Sequence, residues 1–160
     1  SSNSTTVQPD IPLALVDACL DGDEVRAAEA ADGGTSIAAY AASKIAVAHW
    51  VRAHATGTEW AGAGLRLNAV APGMIDTPMV AAMRADERTG PMLDALPIPL
   101  GRPGRPEEIA ALVAFLVGPE STFFCGSVVF CDGGSDALLR TRDWPAAWDI
   151  SLRDFGRTAH

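Results

Sequence analysis

The sequence predicts an α/β fold, helices packed on a parallel sheet, and three observations carry that expectation. From residue 37 onward, helical and strand-like segments alternate, the rhythm of parallel strands joined by helical crossovers. Both strand-like segments are short and mostly apolar, as strands buried on both faces are. Each stops abruptly, at Pro72-Gly73 and at Asp132-Gly133-Gly134, residues that punctuate regular structure.

The elements follow in order. Residues 1–10 are polar. Ile11, Leu15, Val16, Cys19 and Leu20 recur at helical spacing. Asp21-Gly22-Asp23 interrupts that helix, and an Ala-rich helical piece runs from Val25 to Ala31, ended by Gly33-Gly34. A long helix is expected from Ile37 to Trp60, with Thr35 or Ser36 as its N-cap and Gly62 and Gly64 closing it. Its many alanines (Ala38, Ala39, Ala41, Ala42, Ala46, Ala48) let neighbouring backbones come close. Leu65 to Ala71 is the first strand. Met79–Met83 and Met92–Leu96 are helical pieces in a segment broken by Gly90, Pro91, Pro97, Pro99, Gly101 and Pro103. Pro106-Glu107-Glu108 is a helix start, proline in the first turn and carboxylates at the positive end of the dipole. The helix runs to Val117 with Ile109, Leu112, Val113 and Leu116 on one face. Ser127 to Cys131 is the second strand. Two parallel strands do not make a stable sheet, so three to five more are expected beside them.

With 160 residues, 48% of them apolar, the chain can bury a core. A net charge of −8 argues against nucleic acid and anionic membranes as partners, since both select a basic face. The acidic clusters at Asp21–Glu24 and Glu107-Glu108 fit solvated faces and helix ends rather than metal sites. His49, His54 and His160 share no metal-like spacing with carboxylates, and no metal is expected. Cys19, Cys125 and Cys131 are sparse and odd in number, as in a reducing compartment, and Cys125 and Cys131 are expected to fill core space. No stretch is long and apolar enough for a bilayer, and no basic, then apolar, leader opens the chain, so the cytoplasm is the expected location.

The chemistry centres on Tyr40-Ala41-Ala42-Ser43-Lys44. At i and i+4 on a helix, a phenol and an ammonium share one face a turn apart. A phenol ordinarily titrates near 10, and a lysine charge beside it favours the phenolate. It can then protonate a ketone oxygen as hydride arrives, or deprotonate an alcohol as hydride leaves. The spacing alone is common. Here, however, Lys44 is the chain's single lysine and Tyr40 its single tyrosine, every other cationic side chain being arginine. Arginine is no compact ammonium with a readily shifted pKa.

Four ordered blocks supply the context: AAYAASKIAV, GLRLNAVAPGMIDTPM, PLGRPGRPEEIAALVAFLVGPES and GSVVFCDGG. Together, over residues 35–139, they resemble the short-chain dehydrogenase/reductase family. The resemblance implies an α/β chain that is the C-terminal half of a Rossmann-like, doubly wound parallel sheet. The dinucleotide-binding half, with its glycine loop, its NAD/NADP selector and the catalytic asparagine, would belong upstream of this chain. It implies NAD or NADP as cofactor, NAD the first choice, and a small alcohol or ketone as substrate, a hydroxysteroid or other apolar carbonyl. Tyr40 would be the acid/base, and Lys44 would hold the nicotinamide ribose. Pro72, Gly73, Met74, Ile75 and Thr77 would line the nicotinamide, Thr77 bonding its carboxamide, while Asn68 would be structural. The family's substrate-orienting serine lies about a dozen residues before the tyrosine, where this chain has Arg26, Ala27 and Ala28, none of them able to serve. Ser1-Ser2 is similar to the tail of the family's strand-ending I-S-S, so Ser2 is the candidate, with residues 4–34 a helical insertion. The rival reading of Ser2 is a polar chain terminus. A comparable insertion, and an ending similar to DGGSDALLR, occur in bacterial 3α-hydroxysteroid dehydrogenase/carbonyl reductase members. The whole chain, 1–160, would then be one catalytic part-domain with a tail at 140–160, forming a homodimer or homotetramer.

Other residues stay open at this point. Met74, Met79, Met83 and Met92 suit either core packing or the grip on an apolar substrate. Trp144 and Trp148 suit either a cap over the substrate site or a subunit contact. A second reading of the whole chain is a non-catalytic half-domain that serves as a binding or oligomerisation module.

Overall fold

A computed structural model describes Ser2 and residues 11–145. Helix α1 spans Leu13–Asp21 and ends at Gly22, in the left-handed region at φ +71°. That conformation lets the next amide, Asp23, return to Ala18 O at 3.0 Å. Asp23 caps α2 (Glu24–Asp32), its carboxylate accepting the Arg26 N–H at 3.0 Å. Thr35, one of the two expected caps, does the same for α3 (Ser36–His54), accepting from Ala38 N–H at 3.2 Å. The α1–α2 hairpin packs on α3: Leu15 and Val16 bury against Ala42 and Ala46, with Ala27, Ala30 and Ala31 filling in. Side chains this small allow the close approach that the alanine content foreshadowed.

Helix α3 is shorter than expected, ending at His54 rather than Trp60. The β-branched Thr56 and Thr58 flank Gly57, a poor sequence for a helix interior. The His54 ring stacks on Trp50 at 4.4 Å and bonds Trp50 O at 2.8 Å, so it serves one of the last carbonyls. A 3₁₀ turn at Ala61–Ala63 and Gly64 at φ +75° then lead into the strand.

Strands β1 (Ala69–Pro72) and β2 (Val128–Cys131) pair in parallel, in register from Ala69↔Val128 to Pro72↔Cys131. Each begins later than the sequence suggested. The pairing nevertheless reaches back through Gly126 N–H to Leu67 O at 2.8 Å. Asn68 ties the same region, donating to Phe124 O and accepting from Ser127 N–H, both at 3.0 Å. Between the strands lie α4 (Pro78–Ala85), α5 (Gly90–Asp94) and α6 (Pro106–Val117), and α7 (Ser135–Leu139) follows β2. Along α6, Leu116 is buried but Val113 is 43% exposed, so the expected apolar face is only partly covered by a two-stranded sheet. Cys125 is exposed rather than core, because it precedes β2 and its thiol reaches out to Ala55 O at 3.2 Å. Cys131, within β2, is half-buried. Among the described residues no helix is long and apolar enough to cross a membrane.

That Cys125–Ala55 contact ties down one end of the long helix. It sets the C-terminal end of α3 beside the start of β2. Tyr40 lies fifteen residues earlier on the helix, about 22 Å back along its axis at 1.5 Å per residue. Open α/β sheets bind ligands at the carboxyl ends of their strands, the end from which the residues after Pro72 leave β1.

Candidate active site

Tyr40 sits in the second turn of α3 and is 50% exposed, whereas its neighbours Ala41 and Ala42 are fully buried. The helix thus presents the phenol from a rigid wall. Lys44, one turn on and half-buried, places its Nζ 5.2 Å from the Tyr40 ring centroid, within cation–π range. Between them Ser43 turns inward on the helix, donating to Tyr40 O at 2.7 Å. The spacing argument thus delivers what it promised, an ammonium beside an accessible phenol.

The second group is the loop that leaves β1. Pro72 is the last strand residue, and Gly73 N–H donates to Cys131 O at 3.0 Å. A Cβ on Gly73 would lie 2.6 Å from Asp132 Cα and 2.7 Å from Asp132 Cβ, so only glycine lets the two strand ends meet. Met74 is buried at 9% exposure. Ile75 bridges in parallel to Gly104, with Asp76 N–H on Gly104 O at 2.8 Å and Gly104 N–H on Met74 O at 2.9 Å. Thr77 caps α4: its hydroxyl oxygen accepts from Val80 N–H at 3.3 Å, which leaves the hydroxyl proton able to donate elsewhere. Residues 72–77 are in this way held from both sides at the carboxyl end of β1. Ser2 is half-buried and in neither helix nor strand. Its neighbours Ser1 and residues 3–10 lie outside the described residues, as does Trp148.

Two features were not read from the sequence. Asp132 is more than a strand end: its carboxylate accepts from Gly134 N–H at 3.0 Å and from Asp136 N–H at 2.7 Å, opening α7. An aspartate followed by two glycines before a helical run was the available signal. Arg84 is the other, and it joins three elements (below). Of the four methionines only Met74 is buried; Met79, Met83 and Met92 are 69%, 37% and 47% exposed, so none of these three packs a core in this chain. Trp144, 52% exposed, lies with Phe130 around the Arg140 guanidinium, 5.9 and 5.7 Å from it. A cavity of about 90 Å³ opens beside the strand ends, lined by Ile75, Arg102, Glu108, Cys131 and Asp132 among others. It has room for a few waters, not for a drug-sized ligand.

A phenol and ammonium a turn apart on one helix, and a Pro-Gly loop leaving a parallel strand, are also the features of a known group of proteins. The family model described as enoyl-(acyl carrier protein) reductase matches residues 25–136. The chain belongs to the short-chain dehydrogenase/reductase family, and its two-stranded parallel sheet with covering helices is part of that family's Rossmann-like fold. It is 38% identical to the 3-alpha-hydroxysteroid dehydrogenase/carbonyl reductase of Comamonas testosteroni over 133 residues, 81% of this chain and 50% of that protein. Over 106 residues it is 41% identical to the cis-4-hydroxycyclohexanecarboxylate dehydrogenase of Sinomonas cyclohexanicum, covering 66% of this chain and 41% of the relative. Among solved structures, the 3-alpha-hydroxysteroid dehydrogenase from Pseudomonas sp. B-0831 complexed with NADH superposes with a TM-score of 0.82 at 45% identity. That match covers 89% of this chain and 56% of the other. An Agrobacterium tumefaciens relative with bound NADP gives 0.56 at 36% identity, over 67% of this chain and 42% of the other. The chain spans about half the length, or less, of these curated relatives.

Proposed function

We propose that the protein carrying this chain is a nicotinamide-dependent oxidoreductase that interconverts a secondary alcohol and a ketone, its substrate a hydroxysteroid or another apolar carbonyl. The observation that carries this reading is Lys44 Nζ 5.2 Å from the ring of a half-exposed Tyr40. The donor set suits the nicotinamide–ribose half of the cofactor. Lys44 offers an ammonium to ribose hydroxyls, Thr77 a hydroxyl proton to the carboxamide, and residues 72–75 a braced wall for the ring. NAD is the preferred form, in keeping with the relative solved with NADH. When bound, the cofactor supplies or accepts the hydride.

In the reducing direction Tyr40 passes its phenolic proton to the substrate oxygen as the carbon gains hydride; in oxidation the phenolate takes that proton back. Lys44 sets positive charge beside the phenolate that forms. Ser2 donates a hydrogen bond to the substrate oxygen and steadies the charge developing there. The helical insertion is residues 4–34 and the tail residues 140–160. Supporting the insertion, the match to the Comamonas hydroxysteroid relative extends over 81% of the chain where that to the Sinomonas relative extends over 66%. The working form is a homodimer or homotetramer.

The test is NADH- and NADPH-dependent turnover of a ketone panel, steroids included, by the protein with any upstream segment its reading frame encodes. Tyr40→Phe should cut kcat by about 10²–10⁴-fold while substrate still binds, the usual worth of a positioned acid/base. Turnover that survives Tyr40→Phe overturns the mechanism. No turnover with any ketone favours the other reading, a half-domain acting as a binding or oligomerisation module.

A further inference from the structure

The helices α4 and α5 form a small hairpin that joins the rest of the chain at two places. At its start, Ile75-Asp76 pairs with Gly104; at its end, Pro97–Leu100 is held by β2's exit, Ser135 Oγ donating to Pro97 O at 2.7 Å and Leu100 N–H to Gly133 O at 3.1 Å. Within the hairpin the turn is rigid. The Asp86 carboxylate accepts the Arg88 and Thr89 amides at 3.0 Å each, and a Cβ on Gly90 would lie 2.5 Å from Arg84 O. One side chain links this body to the loop below it. Arg84 donates from Nε to Asp94 Oδ1 of α5 at 3.1 Å and from Nη2 to Met74 Sδ at 3.3 Å. Met74 is the buried residue directly after Pro72-Gly73.

We infer that Arg84 is a positioning residue: its guanidinium latches the α4–α5 hairpin onto the strand-end loop at Met74 and so holds the 72–77 loop in place against the nicotinamide. The inference rests on the oxidoreductase reading above. The magnitude suits a latch rather than a permanent tie. Arg84 and Asp94 are 45% and 66% exposed, and an exposed pair shifts an equilibrium only a few-fold.

The test compares wild type, Arg84→Met and Arg84→Lys in the whole protein, with Arg88→Met as the control that removes another arginine from the same hairpin. Amide exchange followed by mass spectrometry should quicken about threefold across residues 78–94 in Arg84→Met and stay unchanged across residues 36–54. The KM for the nicotinamide cofactor should rise by a similar factor at constant kcat, and Arg84→Lys should recover part of both. Unchanged exchange in Arg84→Met overturns the latch. Faster exchange with unchanged KM overturns the positioning role. A wild-type protein with no ketone turnover overturns the oxidoreductase reading instead, and the exchange comparison then decides the latch alone.

Discussion

At the scale of single residues, the site divides into what is local and what is not. Tyr40 and Lys44 were legible because four residues on a helix fix a shared face without reference to anything else. The Thr77 cap on α4 was equally local, although the sequence pointed only to a carboxamide contact for it. Gly73 is different. Its need to be glycine comes from Asp132, remote in sequence, whose Cα and Cβ lie 2.6 and 2.7 Å from where a side chain would begin. Nothing in the neighbourhood of Pro72-Gly73 states that. Gly73→Ala should therefore force the two strand ends apart, at about 1–3 kcal/mol, the range for overpacking. Its urea-denaturation midpoint should fall, and activity should fall with it because residues 74–77 move. A midpoint equal to that of the wild type would show that the loop yields without cost, and that the close approach does not hold the site.

Among the elements, helix starts were legible, and so were the ends at Gly22, Gly33 and Val117; the end of the long helix was not. Thr35 and Asp23 mark starts with side chains that accept from first-turn amides, and Pro106 marks one by standing in the first turn, where its missing N–H costs nothing. The end of α3 falls just before Thr56-Gly57-Thr58, a weaker stop than the glycines farther on that close the helix expected from the sequence, and Trp50 and His54 stack over its last turn. Cys125 was misjudged for a related reason: its residue type suits a core, but its place before β2 leaves it outside one. Helix α6 is secured at both ends by distant or reciprocal partners. At its C-terminus Arg66 donates to Leu116 O, Ser121 O and Gly118 O at 2.9, 2.8 and 3.3 Å, meeting carbonyls the helix cannot satisfy itself. At its N-terminus Glu108 accepts two bonds from Arg102, at 2.9 and 2.7 Å, and one from Arg105 N–H at 2.7 Å. Arg102 first, and the Arg105 amide next, hold the Glu108 carboxyl down from 4.5 to about 2. The folded-state value is the lower one, so this stabilisation is fully present above 4.5 and fades as pH falls toward about 2. Glu108→Gln should melt a few degrees below wild type at pH 7, and the gap should narrow steadily as the pH drops below 4.5. A gap that stays constant with pH would mean that Glu108 contributes through packing rather than charge.

For the whole molecule, the decisive feature is a sheet of two strands carrying the site of a larger fold. The sequence implied more strands than the two among the described residues, because buried parallel strands need neighbours on both sides. The register now says where one neighbour attaches. Ala69 N–H and Gly73 N–H both point to β2, bonding Ser127 O at 2.8 Å and Cys131 O at 3.0 Å. Backbone groups alternate in direction along a parallel strand, so Ala71 also faces β2 while Val70 presents its N–H and C=O to the opposite edge. Pro72, on that same edge by the same parity, has no N–H to give. Val70 is therefore the one β1 residue whose amide can report a further strand. Its side chain and those of Ala69 and Ala71 are already buried or half-buried, which fits an inner position better than a solvent-facing edge. In the whole protein the Val70 amide should exchange as slowly as that of Ala71, measured residue by residue by NMR. Exchange of Val70 at loop-like rates while Ala71 stays protected would leave β1 as a true edge, and would set this chain apart from the extended sheet that its family membership implies.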